Sequence, residues 1–182
     1  HQWYKFLNMK ALTDAEFLKL SQELRDFSGA QLQEIRLKEK IIALGLYQYR
    51  MRWCVFDLDA RAPQCFSPED ISLVVSTSEK KPLVLFLRSH FSGRRLQSIS
   101  VPPDLGRVLV LNFGPEHRIE IRLFPHGANV FAFAREKQIV LFKPQAIKTK
   151  KEVISADNKT FTPLPELELH SKDDTLLALK TK

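Results

Sequence analysis

Few features of this 182-residue sequence are typical of a secreted or membrane-spanning protein. Its two cysteines, Cys54 and Cys65, do not form a C-x-x-C motif, and no histidine pair lies beside them at zinc-ligand spacing. We therefore expect two reduced thiols rather than a disulfide framework. No apolar run approaches the roughly 18–20 residues that span a bilayer. Residues 1–7 also lack the apolar core and the small-residue cleavage site of a signal peptide, so they do not predict secretion.

The residue combinations that carry common enzymatic chemistry are also missing. There is no Ser/His/Asp arrangement, no pair of carboxylates, and no glycine-rich phosphate loop among the six glycines. His90 ends an apolar helix face and His126 lies in a turn, positions that are more typical of packing and turn residues than of acid–base catalysts. We predict a protein that is not an enzyme and has no catalytic residue, cofactor or metal.

What the sequence does contain is an excess of basic residues. Twenty-eight Lys and Arg stand against 21 Asp and Glu, which gives a formal net charge of +7 and a pI near 9.5. On charge alone, RNA, DNA and anionic membranes are all compatible partners. The hydrophobic fraction of 44% is sufficient for one packed domain.

Two helices are predicted from their start and stop signals. Thr13 and Glu16 form a T-x-x-E capping box, and apolar residues then recur at helical spacing, which predicts a helix over 14–28. Pro82 suits the first turn of a second helix, and Gly93 suits its end. Both helices are expected to pack on a sheet through an apolar face.

The rest of the first 143 residues is typical of short antiparallel strands. Three strands are expected between the helices, near 32–37, 41–47 and 50–58, followed by an irregular loop over 62–70. After the second helix, tight turns separate further strand candidates at 94–101, 107–113, 117–124, 129–134 and 138–142. This predicts an α+β fold in which an antiparallel sandwich or meander packs with two helices. Residues 144–182 are expected to be a basic linker and a C-terminal extension.

Several blocks occur in a recognisable order. They read LFLRSHFSGRRL at 85–96, VPPDLGRVLVLNF at 101–113 and IRLFPHGANV at 121–130, and the opening helix and first strand at 9–35 fit the same pattern. In order and spacing they resemble the N-terminal NFACT domain of ribosome quality-control elongation factors, a family also labelled fibronectin-binding proteins. The resemblance extends to about Lys143. It implies a fold similar to the N-terminal domain of formamidopyrimidine-DNA glycosylases.

This resemblance implies a function in the cytoplasm and no membrane partner. Transfer RNA and the large ribosomal subunit are the expected partners, with the domain belonging to a ribosome-associated quality-control factor. The alternative is a surface adhesin that binds fibronectin or fibrinogen in the extracellular matrix. A glycosylase-like enzyme is a third possibility, but it would need an N-terminal proline nucleophile, and this chain begins His1-Gln2-Trp3.

The candidate RNA-binding residues are one aspartate and six arginines that could share one face: Asp14, Arg88, Arg94, Arg95, Arg107, Arg118 and Arg122. Guanidinium groups can hold phosphates with two hydrogen bonds, although alternating arginines also simply keep a wet sheet face soluble. In the family an adjacent Asp-Arg pair is implicated in holding transfer RNA. Here Arg107 occupies the arginine position, Gly106 replaces the aspartate, and Asp104 is the nearest carboxylate in the turn. Asp14 matches a family aspartate and also suits a helix N-terminus.

Overall fold

The computed structural model describes residues 10–143, which form an α+β fold with two antiparallel sheets and two short helices. Helix α1 spans Asp14–Leu24 and continues into a single 3₁₀ turn, Arg25–Phe27, and helix α2 spans Pro82–His90. The strands are β1 Gln31–Lys38, β2 Ile41–Gln48, β3 Arg50–Asp57, β4 Gln64–Phe66, β5 Ser98–Ser100, β6 Val108–Asn112, β7 His117–Arg122, β8 Asn129–Ala134 and β9 Lys137–Val140. A further 3₁₀ turn covers Ile71–Leu73.

Each sheet is an antiparallel meander whose strands follow chain order. The first sheet has the order β1-β2-β3-β4 and the second has the order β5-β6-β7-β8-β9. Neighbours in sequence are therefore neighbours in space, as the tight turns predicted. The loop predicted over 62–70 is wrong in part, because β4 lies within it and pairs with β3.

The predicted strand over 94–101 is also too long, because its first half does not belong to the second sheet. Residues 93–96 instead bond to the start of β1: Leu32 donates its N–H to the Arg94 carbonyl at 2.9 Å, and Leu96 donates to Ala30 at 2.8 Å. Only Ser98–Ser100 pairs with β6. The segment after α2 thus connects the two sheets instead of extending one of them.

A continuous apolar core holds the helices and both sheets together. Phe56, Phe91 and Phe113 are fully buried in it, and Phe91 meets Phe113 edge-on with ring centroids 5.5 Å apart. A smaller cluster on the other face of the first sheet includes Trp53 and Ile71. Three phenylalanines are therefore among the largest fully buried side chains of residues 10–143, beside leucines and isoleucines.

The capping box at the start of α1 is present. The Thr13 hydroxyl accepts a hydrogen bond from the Glu16 N–H at 3.2 Å, and the Glu16 carboxylate accepts one from the Thr13 N–H at 2.8 Å. The bond from the Thr13 backbone is the main reason that the pKa of Glu16 is lowered from its ordinary value. Helix α1 buries Phe17 and Leu24, so its N-terminal end is fixed close to the second sheet's loops.

Candidate functional site

The strongest link between two predicted site residues joins Arg107 to Asp14. The Arg107 Nε donates to the Asp14 Oδ1 at 3.2 Å, and the two residues are 93 positions apart in the chain. The arginine side chain is 23% exposed, whereas the aspartate side chain is 91% exposed. Arg107 therefore has a carboxylate partner, but that partner is Asp14 at the start of α1 rather than Asp104 in its own turn.

The glycine at position 106, beside Arg107, has a structural reason. Its φ is +71°, a left-handed conformation that side chains rarely adopt. A Cβ at this position would lie 3.0 Å from Cε1 of the Phe124 ring. An aspartate here would be strained and crowded, so this turn is built for glycine, and the carboxylate beside Arg107 comes from another element.

The Asp14–Arg107 pair lies on the wall of a groove of about 400 Å³ between α1 and the Pro102-Pro103 turn. Phe17 and Ser21 contribute from the helix side. Two exposed leucines lie in these same two elements: Leu18 is 53% exposed and Leu105 is 52% exposed. The groove is thus amphipathic, with one ion pair at its wall.

The three arginines around the end of α2 each hold a backbone carbonyl. Arg88 donates to the Ile35 carbonyl at 3.3 Å, Arg94 to His90 at 2.9 Å and Arg95 to Gly29 at 3.0 Å. Such bonds fasten α2 and the segment after it to their neighbours. These three guanidinium groups therefore stabilise the fold, whether or not they also contact a partner.

The remaining two arginines lie on the outer face of the second sheet. Ile119 and Ile121 of β7 are buried in the core, so the alternating Arg118, Glu120 and Arg122 point the other way. The Glu120 carboxylate accepts from the Arg118 Nε at 3.2 Å and lies 3.5 Å from the Arg122 Nη2.

Each of these two guanidinium groups also stacks on a phenylalanine of β8. The Arg118 guanidinium carbon lies 3.9 Å from the centre of the Phe133 ring, and that of Arg122 lies 3.9 Å from the centre of the Phe131 ring. We call the five residues Arg118, Glu120, Arg122, Phe131 and Phe133 the Arg–Phe face. Its arginine side chains remain 47% and 40% exposed.

The seven predicted site residues therefore occupy three locations and do not share one face. Arg107 and Asp14 line the α1 groove, the middle three arginines bind backbone around α2, and the last two lie on the Arg–Phe face. Sequence reasoning missed Phe131 and Phe133 as partners of the arginines. The alternation of Phe131 and Phe133 with the small, buried Ala132 and Ala134 was the signal that could have found them.

Within residues 10–143, no group of three or more His, Cys, Asp or Glu side chains is placed to hold a metal ion. No helix in the same range has the length and apolar character that crossing a bilayer requires. Cys54 and Cys65 are free and buried, with their sulfur atoms 3.9 Å apart.

Comparison with solved structures finds proteins of the same fold. One is the N-terminal domain of the fibronectin-binding protein PavA from Streptococcus pneumoniae, with a TM-score of 0.63 and 12% sequence identity, covering 74% of this chain and 56% of that one. Another is the N-terminal part of the fibronectin/fibrinogen-binding protein from Streptococcus suis, with a TM-score of 0.61 and 14% identity, covering 74% of this chain and 54% of that one. No family model matches the sequence, and no curated protein matches it.

At this level of identity the likeness shows a shared fold. The chain spans about half the length of the two solved structures that it matches. The fold is thus that of the N-terminal domains of fibronectin-binding proteins, while the NFACT resemblance, the glycosylase-like fold and the boundary at Lys143 stay predictions.

Proposed function

We propose that this domain is a macromolecule-binding module that holds RNA on its Arg–Phe face. The observation that carries the proposal is the pair of guanidinium groups stacked at 3.9 Å on Phe131 and Phe133. Stacking keeps the flexible arginine side chains in place before a partner arrives, so less conformational entropy is lost on binding. Aromatic rings and arginine planes beside one another are a common surface for unstacked bases and phosphates.

The charges of this face suit a polyanion. The Glu120 carboxylate forms an ion pair with one nitrogen of Arg118 and one nitrogen of Arg122, and its side chain is only 13% exposed. Each guanidinium group has further N–H donors, since arginine carries five. The face therefore carries two exposed positive charges and one largely buried negative charge. This excess of positive charge favours binding of phosphate groups.

The wider setting of this proposal rests on the NFACT resemblance. There the partner is transfer RNA at the large ribosomal subunit, and the domain is part of a cytoplasmic quality-control factor. Such a domain has no reaction of its own, and its contribution is to position a ligand. Arg107 contributes from the α1 groove, where Asp14 offsets part of its charge.

A second candidate function is binding of fibronectin or fibrinogen. The observation that favours it is direct: both solved neighbours are N-terminal domains of proteins described as binding these matrix proteins. The comparisons favour this candidate over RNA, which is supported by the Arg–Phe face and by the block order of the sequence. The two candidates call for one experiment with two ligands.

The experiment measures binding of the full chain to labelled transfer RNA and to plasma fibronectin over a range of salt concentrations. The variants are the double change Arg118→Gln and Arg122→Gln, the opposite change Glu120→Gln, and Lys19→Gln as a control. Lys19 is an exposed cation of α1. Phosphate contacts predict an RNA affinity that falls steeply with salt and about tenfold or more in the double variant, because each charged hydrogen bond contributes about 1.5–3 kcal/mol.

Glu120→Gln should strengthen RNA binding, since it removes a negative charge, whereas Lys19→Gln should change it little. The double variant removes two positive charges and Lys19→Gln removes one. A loss of binding free energy in the double variant no larger than twice that of Lys19→Gln would show that only net charge matters and would reject the Arg–Phe face. Tight fibronectin binding without RNA binding would establish the second candidate in its place.

A further inference from the structure

A cleft of about 540 Å³ lies apart from the surfaces described above. It is formed by the C-terminal end of α2, the start of β7 and the turn between β8 and β9. Its lining brings together two histidines, His90 and His117, three cations, Arg94, Arg135 and Lys137, and two carboxylates, Glu116 and Glu136. Permanent cations thus outnumber carboxylates by three to two around one opening.

His117 is the unusual residue of this cleft. The residue is only 6% exposed, and its ring lies edge-on to Phe91 with centroids 5.5 Å apart. Neither imidazole nitrogen has a hydrogen-bond partner within residues 10–143. No described side chain has a nitrogen or oxygen sealed from solvent without a partner, so the imidazole nitrogens of His117, which lines the cleft, keep access to solvent. A buried polar ring facing a cleft without a protein partner is suited to a ligand.

The charges around His117 favour a negative ligand. The pKa of His117 is lowered, first by burial and then by the positive charges of Arg94 and Arg135, with His90 acting in the same sense and Glu116 in the opposite one. The Glu116 carboxylate forms an ion pair with Arg135, with 3.7 Å between Oε2 and Nε. A site with this positive potential repels metal cations and attracts anions.

We propose that this cleft is a binding site for a phosphate group, held by Arg94, Lys137 and His117. Arg94 is already oriented, because its Nε donates to the His90 carbonyl at 2.9 Å and leaves its terminal nitrogens to reach a ligand. Lys137 is the exposed first residue of β9 and supplies a second cation, and the buried His117 supplies a donor. The phosphate is either a free ion or a phosphodiester of RNA, and the site does not depend on the Arg–Phe face.

The test follows the imidazole resonances of His117 by NMR in the full chain. Sodium phosphate is titrated at constant ionic strength against sodium chloride, and an RNA oligonucleotide is titrated separately. Saturable shifts of His117 are expected, together with a rise of its imidazole pKa, because a bound anion stabilises the protonated ring. Lys137→Gln should weaken the binding about tenfold, whereas the exposed Lys19→Gln should leave it unchanged.

Each outcome decides the proposal. Saturation by phosphate that is weakened by Lys137→Gln supports a site for the free ion. Saturation by RNA alone, with the same sensitivity, supports a site for backbone phosphate. No shift with either ligand, or equal effects of Lys137→Gln and Lys19→Gln, overturns it. Loss of RNA binding in the Arg118 and Arg122 variants bears only on the Arg–Phe face, so the two proposals fail separately.

Discussion

At the scale of single residues, Gly106 is the position in the turn before β6 where a side chain is least tolerated. Its φ of +71° already disfavours any side chain, and a Cβ would lie 3.0 Å from the Phe124 ring. Gly106→Ala is therefore expected to lower the free energy of unfolding by about 1–2 kcal/mol, because a left-handed alanine is strained. Denaturant unfolding followed by circular dichroism measures the change.

Gly127, in the turn between β7 and β8, provides the matched control because a side chain there would face the same Phe124. A Cβ there would meet the nearest atom, Cβ of Phe124, at 3.6 Å, which is an ordinary contact, and its φ is not left-handed. Gly127→Ala should therefore change stability much less than Gly106→Ala. Equal effects of the two substitutions would mean that the left-handed turn is not the reason for glycine at 106.

The same scale shows why the partner of Arg107 escaped prediction. Sequence reasoning compares neighbours, and it found Asp104 in the turn; the carboxylate that binds Arg107 is 93 residues away at the start of α1. That pairing depends on how α1 packs beside the turn. Asp14 itself was singled out, but only by resemblance and by its helix position, neither of which indicates a contact with Arg107.

At the scale of elements, the start of α1 gives the clearest prediction. Thr13→Ala removes the hydroxyl that accepts the Glu16 N–H at 3.2 Å, so the free energy of unfolding should fall by about 1 kcal/mol. Thr13→Ser keeps a hydroxyl in the same place and should be nearly neutral. Thermal and denaturant unfolding of the two variants test this. If Thr13→Ser destabilised the protein as much as Thr13→Ala, the cap would not be the cause.

Elements with a strong local signal were predicted well, and elements defined by tertiary contacts were not. The capping box and Pro82 give the starts of α1 and α2, and tight turns locate β7 and β8. The three-residue β4 has no such pattern; it exists because β3 offers a pairing edge and because Gln64 donates to the Lys10 carbonyl at 3.0 Å. Likewise, residues 93–96 form hydrogen bonds with the start of β1 because the end of α2 places them beside it.

At the scale of the whole molecule, the fold depends on the pattern of apolar residues and turns more than on the identity of individual residues. Two streptococcal domains with 12% and 14% sequence identity to this chain have the same fold. What they need to share is the placement of apolar residues, turns and helix ends, since many sequences can fill a core of the same volume. The surfaces are under no such constraint. Fold likeness therefore leaves RNA and matrix-protein binding to be separated by experiment.

The boundary predicted at Lys143 can be tested on the same scale. Asn129 holds the end of the described region: its Nδ2 donates to the Phe142 carbonyl at 2.8 Å, and its Oδ1 accepts from the Phe142 N–H at 3.0 Å. The Leu141 N–H donates to Val130 at 2.9 Å, and both Leu141 and Phe142 pack against the core. A chain of residues 1–143 should therefore unfold cooperatively with a free energy within about 1 kcal/mol of the full chain.

A chain of residues 1–140 is the matched control, because it removes Leu141 and Phe142 along with the two bonds to Asn129. Losing partly buried apolar side chains and leaving the Asn129 Nδ2 unpaired should cost about 2–4 kcal/mol. The Asn129 Oδ1 keeps its bond from the Val130 N–H at 2.9 Å. Denaturant unfolding of the three chains, full length, 1–143 and 1–140, measures both differences. If 1–143 were as unstable as 1–140, residues beyond Lys143 would contribute to the fold, and the domain would extend past the predicted boundary.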